Sequence, residues 1–143
     1  TFVNGDRYTG EFLDGEQNGT GTFTWKGGAV YEGSWKNNLQ NGKGKYTWAN
    51  GDIYDGEWKD GKMDGAGIMR QADGVKFKGS FKAGLKEGYG ILEDSDGIRY
   101  EGTFREGQKD GEFVEKDRNG NLIRKVKYVN GLVESVSELT SAQ

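Results

Sequence analysis

Two stretches, Gly19–Trp25 (GTGTFTW) and Gly42–Trp48 (GKGKYTW), have the closely spaced glycines of loops that wrap phosphate with backbone N–H groups. Neither carries the third glycine of a dinucleotide fingerprint or the Lys-Ser/Thr of a P-loop, so nucleotide chemistry is not expected. Asp94–Gly97 (DSDG) begins like a calcium loop, but the position that should supply the closing Glu is Arg105. The chain has no His and no Cys. That removes the usual general base, the thiol nucleophile and the commonest metal ligands. Carboxylate pairs suited to glycoside chemistry occur only among alternating surface charges, with no sign of a closed pocket. No catalytic residue, metal or cofactor is expected.

What remains is binding chemistry. Lys76, Lys78, Lys82 and Lys86 form a local basic excess, and Arg124, Lys125 and Lys127 another. Such clusters attract anionic phospholipid headgroups at about 1 kcal/mol per cation, although here acids lie close by. A net charge of −3 argues against broad nucleic-acid affinity. Aromatic residues make up 13% of the chain. Trp35, Trp58, Tyr54 and Phe81, with Trp25 and Trp48 at the opposite margin of the same face, are the candidate contacts for a protein partner. The competing reading is that rings packed on glycines are how a thin fold holds itself together.

The element that positions these residues is a repeat. Tyr8, Tyr31, Tyr54, Phe77 and Tyr100 stand 23 residues apart, as do Gly10 to Gly102 and the column Phe12, Trp35, Trp58, Phe81 and Phe104. Two more glycine columns, Gly19 to Gly111 and Gly5 to Gly120, keep the same period. This regularity argues against the disorder that 32% hydrophobic residues and 26 glycines would suggest. Period-two alternation is strand periodicity, and glycine costs about 1 kcal/mol per helical position against Ala. Each unit therefore predicts a β-hairpin. The array predicts an all-β fold: a single elongated, twisted antiparallel sheet, curled into a trough, of tandem 23-residue hairpin repeats. A partial unit spans 1–7, and five repeats starting at Tyr8, Tyr31, Tyr54, Phe77 and Tyr100 run to residue 120.

Turn chemistry selects the register. A two-residue turn at Asn50-Gly51 would set Tyr46 opposite Asp55. A three-residue loop with Gly51 in the left-handed region sets Tyr46 opposite Tyr54 and keeps the rings on one face. The other turn, Asn37-Asn38 and its equivalents, calls for positive φ where Asn38 replaces glycine. This register sorts one face into three rows: the Tyr8–Tyr100 ring row, an all-glycine row from Gly10 to Gly102, and a row alternating Phe12, Gly19, Trp35, Gly42, Trp58 and onward. Rings cannot all stand upright at strand spacings of about 4.8 Å, so they are expected to lie over neighbouring glycines. The other face is expected to be polar and solvated, with Lys45 between Glu32 and Asp55 and Lys43 beside Glu57. Residues 121–136 predict a degenerate capping hairpin using Phe113, Leu122, Val126 and Val129, and 137–143 a tail. The chain begins inside a repeat without an initiator Met and is expected to be part of a longer protein.

The units "YEGSW…GKGKY" and "YDGEW…GAGIM" resemble the MORN (membrane occupation and recognition nexus) repeat family, whose motif is Tyr-x-Gly-x-Trp, a loop, then Gly-x-Gly-x-aromatic. The likeness covers residues 1 to about 120. It implies a non-catalytic scaffold or protein-binding module of cytoplasmic proteins, at the cytoskeleton, in cilia or at membranes. The partner would be a helix, an extended segment or a second copy of the chain. Binding of anionic phospholipid, phosphoinositide included, is the alternative, as is a regulatory segment of a larger enzyme.

Overall fold

The computed structural model describes residues 2–138. Its strands are β1 (Arg7–Leu13), β2 (Glu16–Thr24), β3 (Val30–Lys36), β4 (Leu39–Thr47), β5 (Ile53–Lys59), β6 (Lys62–Arg70), β7 (Lys76–Lys82), β8 (Leu85–Glu93), β9 (Arg99–Arg105), β10 (Gln108–Lys116), β11 (Leu122–Val129) and β12 (Leu132–Glu138). They pair in chain order into one 12-stranded open antiparallel sheet, with β1 and β12 at its ends. β12 runs through Ser137 and Glu138, so the expected tail starts too early. Its remainder, 139–143, lies outside the described residues.

Two turn types alternate, as the sequence requires. Between β4 and β5, Trp48 N–H donates to Asp52 O at 2.8 Å and Gly51 N–H to Trp48 O at 3.0 Å. These bonds enclose a three-residue loop, with Gly51 at φ 98°. Within each hairpin a two-residue turn puts both residues at positive φ; Asn37 and Asn38 lie at 50° and 68°, the geometry of a type I′ turn. The second residue of this turn then hooks the preceding repeat: Asn38 N–H donates to Gln17 O, Gly61 to Gln40 O, Gly84 to Met63 O, Gly107 to Lys86 O and Gly131 to Lys109 O, at 2.9–3.0 Å. Neighbouring units are therefore tied at their turns as well as along their strands, as nearest-neighbour stability in a repeat array demands.

The ring row and the glycine row form as expected: Tyr31 faces Tyr46, Tyr46 faces Tyr54, Gly33 faces Gly44 and Gly44 faces Gly56. The third row does not alternate throughout. Trp58 faces Gly42 across the repeat boundary, but inside its own hairpin Trp35 faces Gln40. The cause is a bulge in which Ser34 alone opposes Asn41, Gly42 and Lys43, with Gly42 at φ 96°. The facing residues that this bulge introduces are Gln17, Gln40, Met63, Lys86 and Lys109.

At the C-terminal end, Tyr128 comes one residue late for the 23-residue period. A shift in the β10–β11 ladder, where Glu115 pairs with Arg124 and Lys116 with Leu122, absorbs Ile123 and brings Tyr128 opposite Gly111, the slot Phe104 takes against Gly88. Phe113 and Val126 are buried as expected, but Val129 is 45% exposed and Tyr128 closes the stack instead.

The opposite face departs from expectation. Lys45 does face Glu32 and Asp55, yet neither Lys43 nor Lys45 makes an ion pair within 4.0 Å among the described residues. Ile68, Ile91 and Val114 alternate with Lys78 and Glu101 along this face, and Tyr89 stands on it 60% exposed.

Candidate functional site

The ring-bearing face is built from two ladders. In the inner one, the Tyr or Phe that starts each of the first four repeats, Tyr8, Tyr31, Tyr54 and Phe77, lies over the glycine of the next strand. A Cβ at Gly44 would strike the Tyr31 ring and hydroxyl, and one at Gly90 would strike the Phe77 ring. The Tyr31 hydroxyl is satisfied by Ser34 O at 2.9 Å and that of Tyr54 by Glu57 O at 3.0 Å. The Trp of the following repeat reaches back over the same glycine row, Trp35 Nε1–H donating to Gly21 O and Trp58 Nε1–H to Gly44 O at 3.0 Å. The rings meet edge to face without a break: Tyr8 to Trp35, Trp35 to Tyr31, Tyr31 to Trp58, Trp58 to Tyr54, Tyr54 to Phe81, and on through Phe77, Phe104 and Phe113 to Tyr128, with centroids 5.0–5.6 Å apart. This is the arrangement that ring quadrupoles favour.

The inner ladder corrects the choice of contact residues. Trp35, Trp58, Tyr54 and Phe81 are 5%, 7%, 0% and 4% exposed. They are the core of a one-layer fold, because each ring packs on the sheet backbone or its row of glycines and is closed over by its edge-to-face neighbours. Burial raises the Tyr31 phenol and pushes that of Tyr54 up to about 12.

The outer ladder keeps its surface. Phe2 stacks on Phe23 at 5.8 Å, Phe23 lies 4.4 Å from Trp25, Trp25 lies 5.3 Å from Tyr46, and Tyr46 lies 4.6 Å from Trp48. Phe23, Trp25, Tyr46, Trp48 and Met69 are half-buried against the core, while Phe2 and Phe12 are 47% and 58% exposed. Depressions of about 630 Å³ beside Phe2, Phe12 and Phe23 and about 370 Å³ beside Trp48 and Met69 flank this stripe. Trp25 and Trp48 thus stand at the margin assigned to them. Phe2, Phe12, Phe23 and Tyr46 were missed as surface. The sequence signal for the stripe was the 23-residue column Phe2, Trp25, Trp48, Gln71, Asp94, Asp117, aromatic in its first half and polar in its second.

The lysine cluster does not assemble. Lys76, Lys78 and Lys82 alternate with Phe77 and Phe81 and so project from the opposite face. Lys86 faces Phe81 on the ring side, its Nζ 5.2 Å from the Phe77 centroid and 5.9 Å from that of Phe104. One repeat on, Lys109 Nζ lies 4.2 Å from the Tyr100 centroid and 4.9 Å from that of Tyr128, and donates to the Tyr128 hydroxyl at 3.5 Å. Burial lowers the pKa of both amines. The carboxylate of Asp94 in the DSDG turn is fully engaged. It accepts from Asp96 N–H, Ile98 N–H and the Tyr100 hydroxyl at 2.9–3.0 Å. Among the described residues no cluster of three or more acids could hold a metal ion.

Stacked hairpins that bury one ring ladder and display another define a repeat module. The family model described as MORN repeat matches residues 8–30, 31–53, 54–76, 77–99 and 100–121, and the chain belongs to the MORN-repeat family, whose repeats are non-catalytic modules. No curated protein is significantly similar to it. Among solved structures, it is similar to the TCP domain of SAS-4 (dCPAP) of Drosophila melanogaster, in complex with a proline-rich motif of Ana2 (dSTIL). Identity is 15% over 85% of this chain and 73% of that one, with a TM-score of 0.45.

Proposed function

We propose that this array is a scaffold that binds a protein segment, helical or extended, along the outer ring ladder, and has no catalytic activity of its own. The observation that supports it is the stripe from Phe2 to Trp48. These rings pack on one another yet leave apolar surface open after the inner ladder has covered the glycines. Contiguous exposed aromatic surface marks an interaction site, and half-buried Trp and Tyr bind with little loss of side-chain freedom.

Photocrosslinking tests this. A photoreactive residue replacing Trp48 should yield adducts that Trp25→Ala abolishes, and one replacing Thr22 on the opposite face should not. Equal labelling from both faces would overturn the assignment. Membrane binding through Lys76, Lys78 and Lys82 is the second reading. These lysines share a face, but Lys86 is turned away from them. Salt-sensitive sedimentation with phosphoinositide vesicles, lost on changing the three lysines to Glu, would favour it. Action in the cytoplasm at the cytoskeleton belongs to the same proposal.

A further inference from the structure

The column that the hairpin bulges place beside the inner ladder changes character along the sheet. It reads Gln17, Gln40, Met63, Lys86, Lys109. The lysines face rings where lysines on a sheet usually face acids, and neither makes an ion pair within 4.0 Å among the described residues. The acids around Lys109 make their bonds elsewhere, except that Glu115 Oε2 is buried without a hydrogen-bond partner. Glu115 holds Arg124 at 3.0 Å, and Asp94 is bonded by two backbone N–H groups and the Tyr100 hydroxyl. Two half-buried cations that no carboxylate pairs within 4.0 Å, Lys109 with Glu115 in its neighbourhood, therefore lie on the same face as the outer aromatic stripe, farther along the sheet.

We propose that Lys86 and Lys109 receive an acidic segment of the same partner chain whose apolar side chains lie on the Phe2–Trp48 stripe. This rests on the protein-binding reading above and gives the partner a chemistry and a direction: apolar over β1–β6, carboxylate-bearing over β8–β10. The acidic part runs along the Lys86–Lys109 column and away from the opposite margin, where Gln71, Asp94 and Asp117 succeed the tryptophans. Charge complementarity of this kind fixes register as well as adding affinity. A peptide is favoured over a bilayer because both amines are recessed among rings. A side chain can reach into that recess, whereas a flat lipid surface meets only protruding cations.

Selection of a random-peptide display library against the intact chain and against a Lys86→Met, Lys109→Met variant tests this. Methionine suits the slot, since Met63 faces Trp58 there. If the variant does not fold, Gln replaces Met, as at Gln17 and Gln40. The expected result is enrichment of peptides with apolar and acidic blocks, the acidic preference vanishing on the variant and selected peptides binding it about tenfold more weakly. Apolar peptides without acid enrichment would overturn the inference and leave the protein-binding reading standing. No enrichment at all would overturn both. Phosphatidylserine vesicles bound through these two lysines, with no acidic peptide selected, would overturn it in favour of lipid.

Discussion

Trp58 donates its indole N–H to the carbonyl of Gly44 at 3.0 Å, so a side chain of one repeat satisfies the backbone of the repeat before it. Phe81 occupies the same slot one unit later and has no such donor. Trp58→Phe should therefore keep the ring contact with Tyr31 and lose only the bond, at a cost of about 1–2 kcal/mol. Trp58→Ala also empties the slot and should cost about 3–5 kcal/mol. Urea denaturation measures both. Equal losses would show that the bond, and not ring packing, dominates the repeat boundary.

The glycine row is a steric requirement. At Gly44 an added methyl would meet the Tyr31 ring, whereas at Gly27 it would meet nothing within 4 Å. Gly44→Ala should cost upwards of about 2 kcal/mol, and Gly27→Ala should be neutral or stabilising by up to about 1 kcal/mol. A tolerant Gly44 would mean that the rings do not lie over the sheet in solution.

Alkaline pH should loosen the inner ladder. Burial pushes Tyr54 and Tyr100 up to about 12, and raises Tyr31 as well, from an ordinary 10.0. Between pH 10 and 12 the unfolded chain releases phenol protons that the folded chain retains, so stability holds below pH 10 and falls as pH rises through that window. Denaturation midpoints across this range, read beside phenolate absorbance, give the slope. A flat profile would contradict the burial of these hydroxyls.

Glu115 occupies the place taken by Phe23, Tyr46, Met69 and Leu92 in the earlier repeats. It is 4% exposed, with one carboxylate oxygen on Arg124 and the other without a partner. Glu115→Met should be neutral or stabilise by about 1 kcal/mol, while Arg124→Ala, which leaves the carboxylate buried without its cation, should cost about 2–4 kcal/mol. Thermal melts of the two variants should move in opposite directions or differ plainly in size.

The hairpin period, the three-residue loop at Gly51 and the pairing of Tyr46 with Tyr54 were legible in the residues, because a strand slipped by one place would turn every ring to the other face. The bulge at Gly42 was not. It depends on positive φ in a strand whose glycine pattern looks uninterrupted, and with it went the facing of Gln40, Met63, Lys86 and Lys109 onto the rings. Nor was the place of Tyr128, one residue late for the period, which the ladder recovers by leaving Ile123 unpaired against β10.

By itself the sequence determined which side chains share a face, since alternation and turn type are local and repeat at a constant interval. Only the tertiary structure decided which of those rings remain available. Exposure depends on how far each ring leans across the neighbouring strand: Trp58 reaches back to bond Gly44 O and is covered by Tyr31 and Tyr54, while Trp48, in a loop with no glycine row beneath it, stays only partly buried.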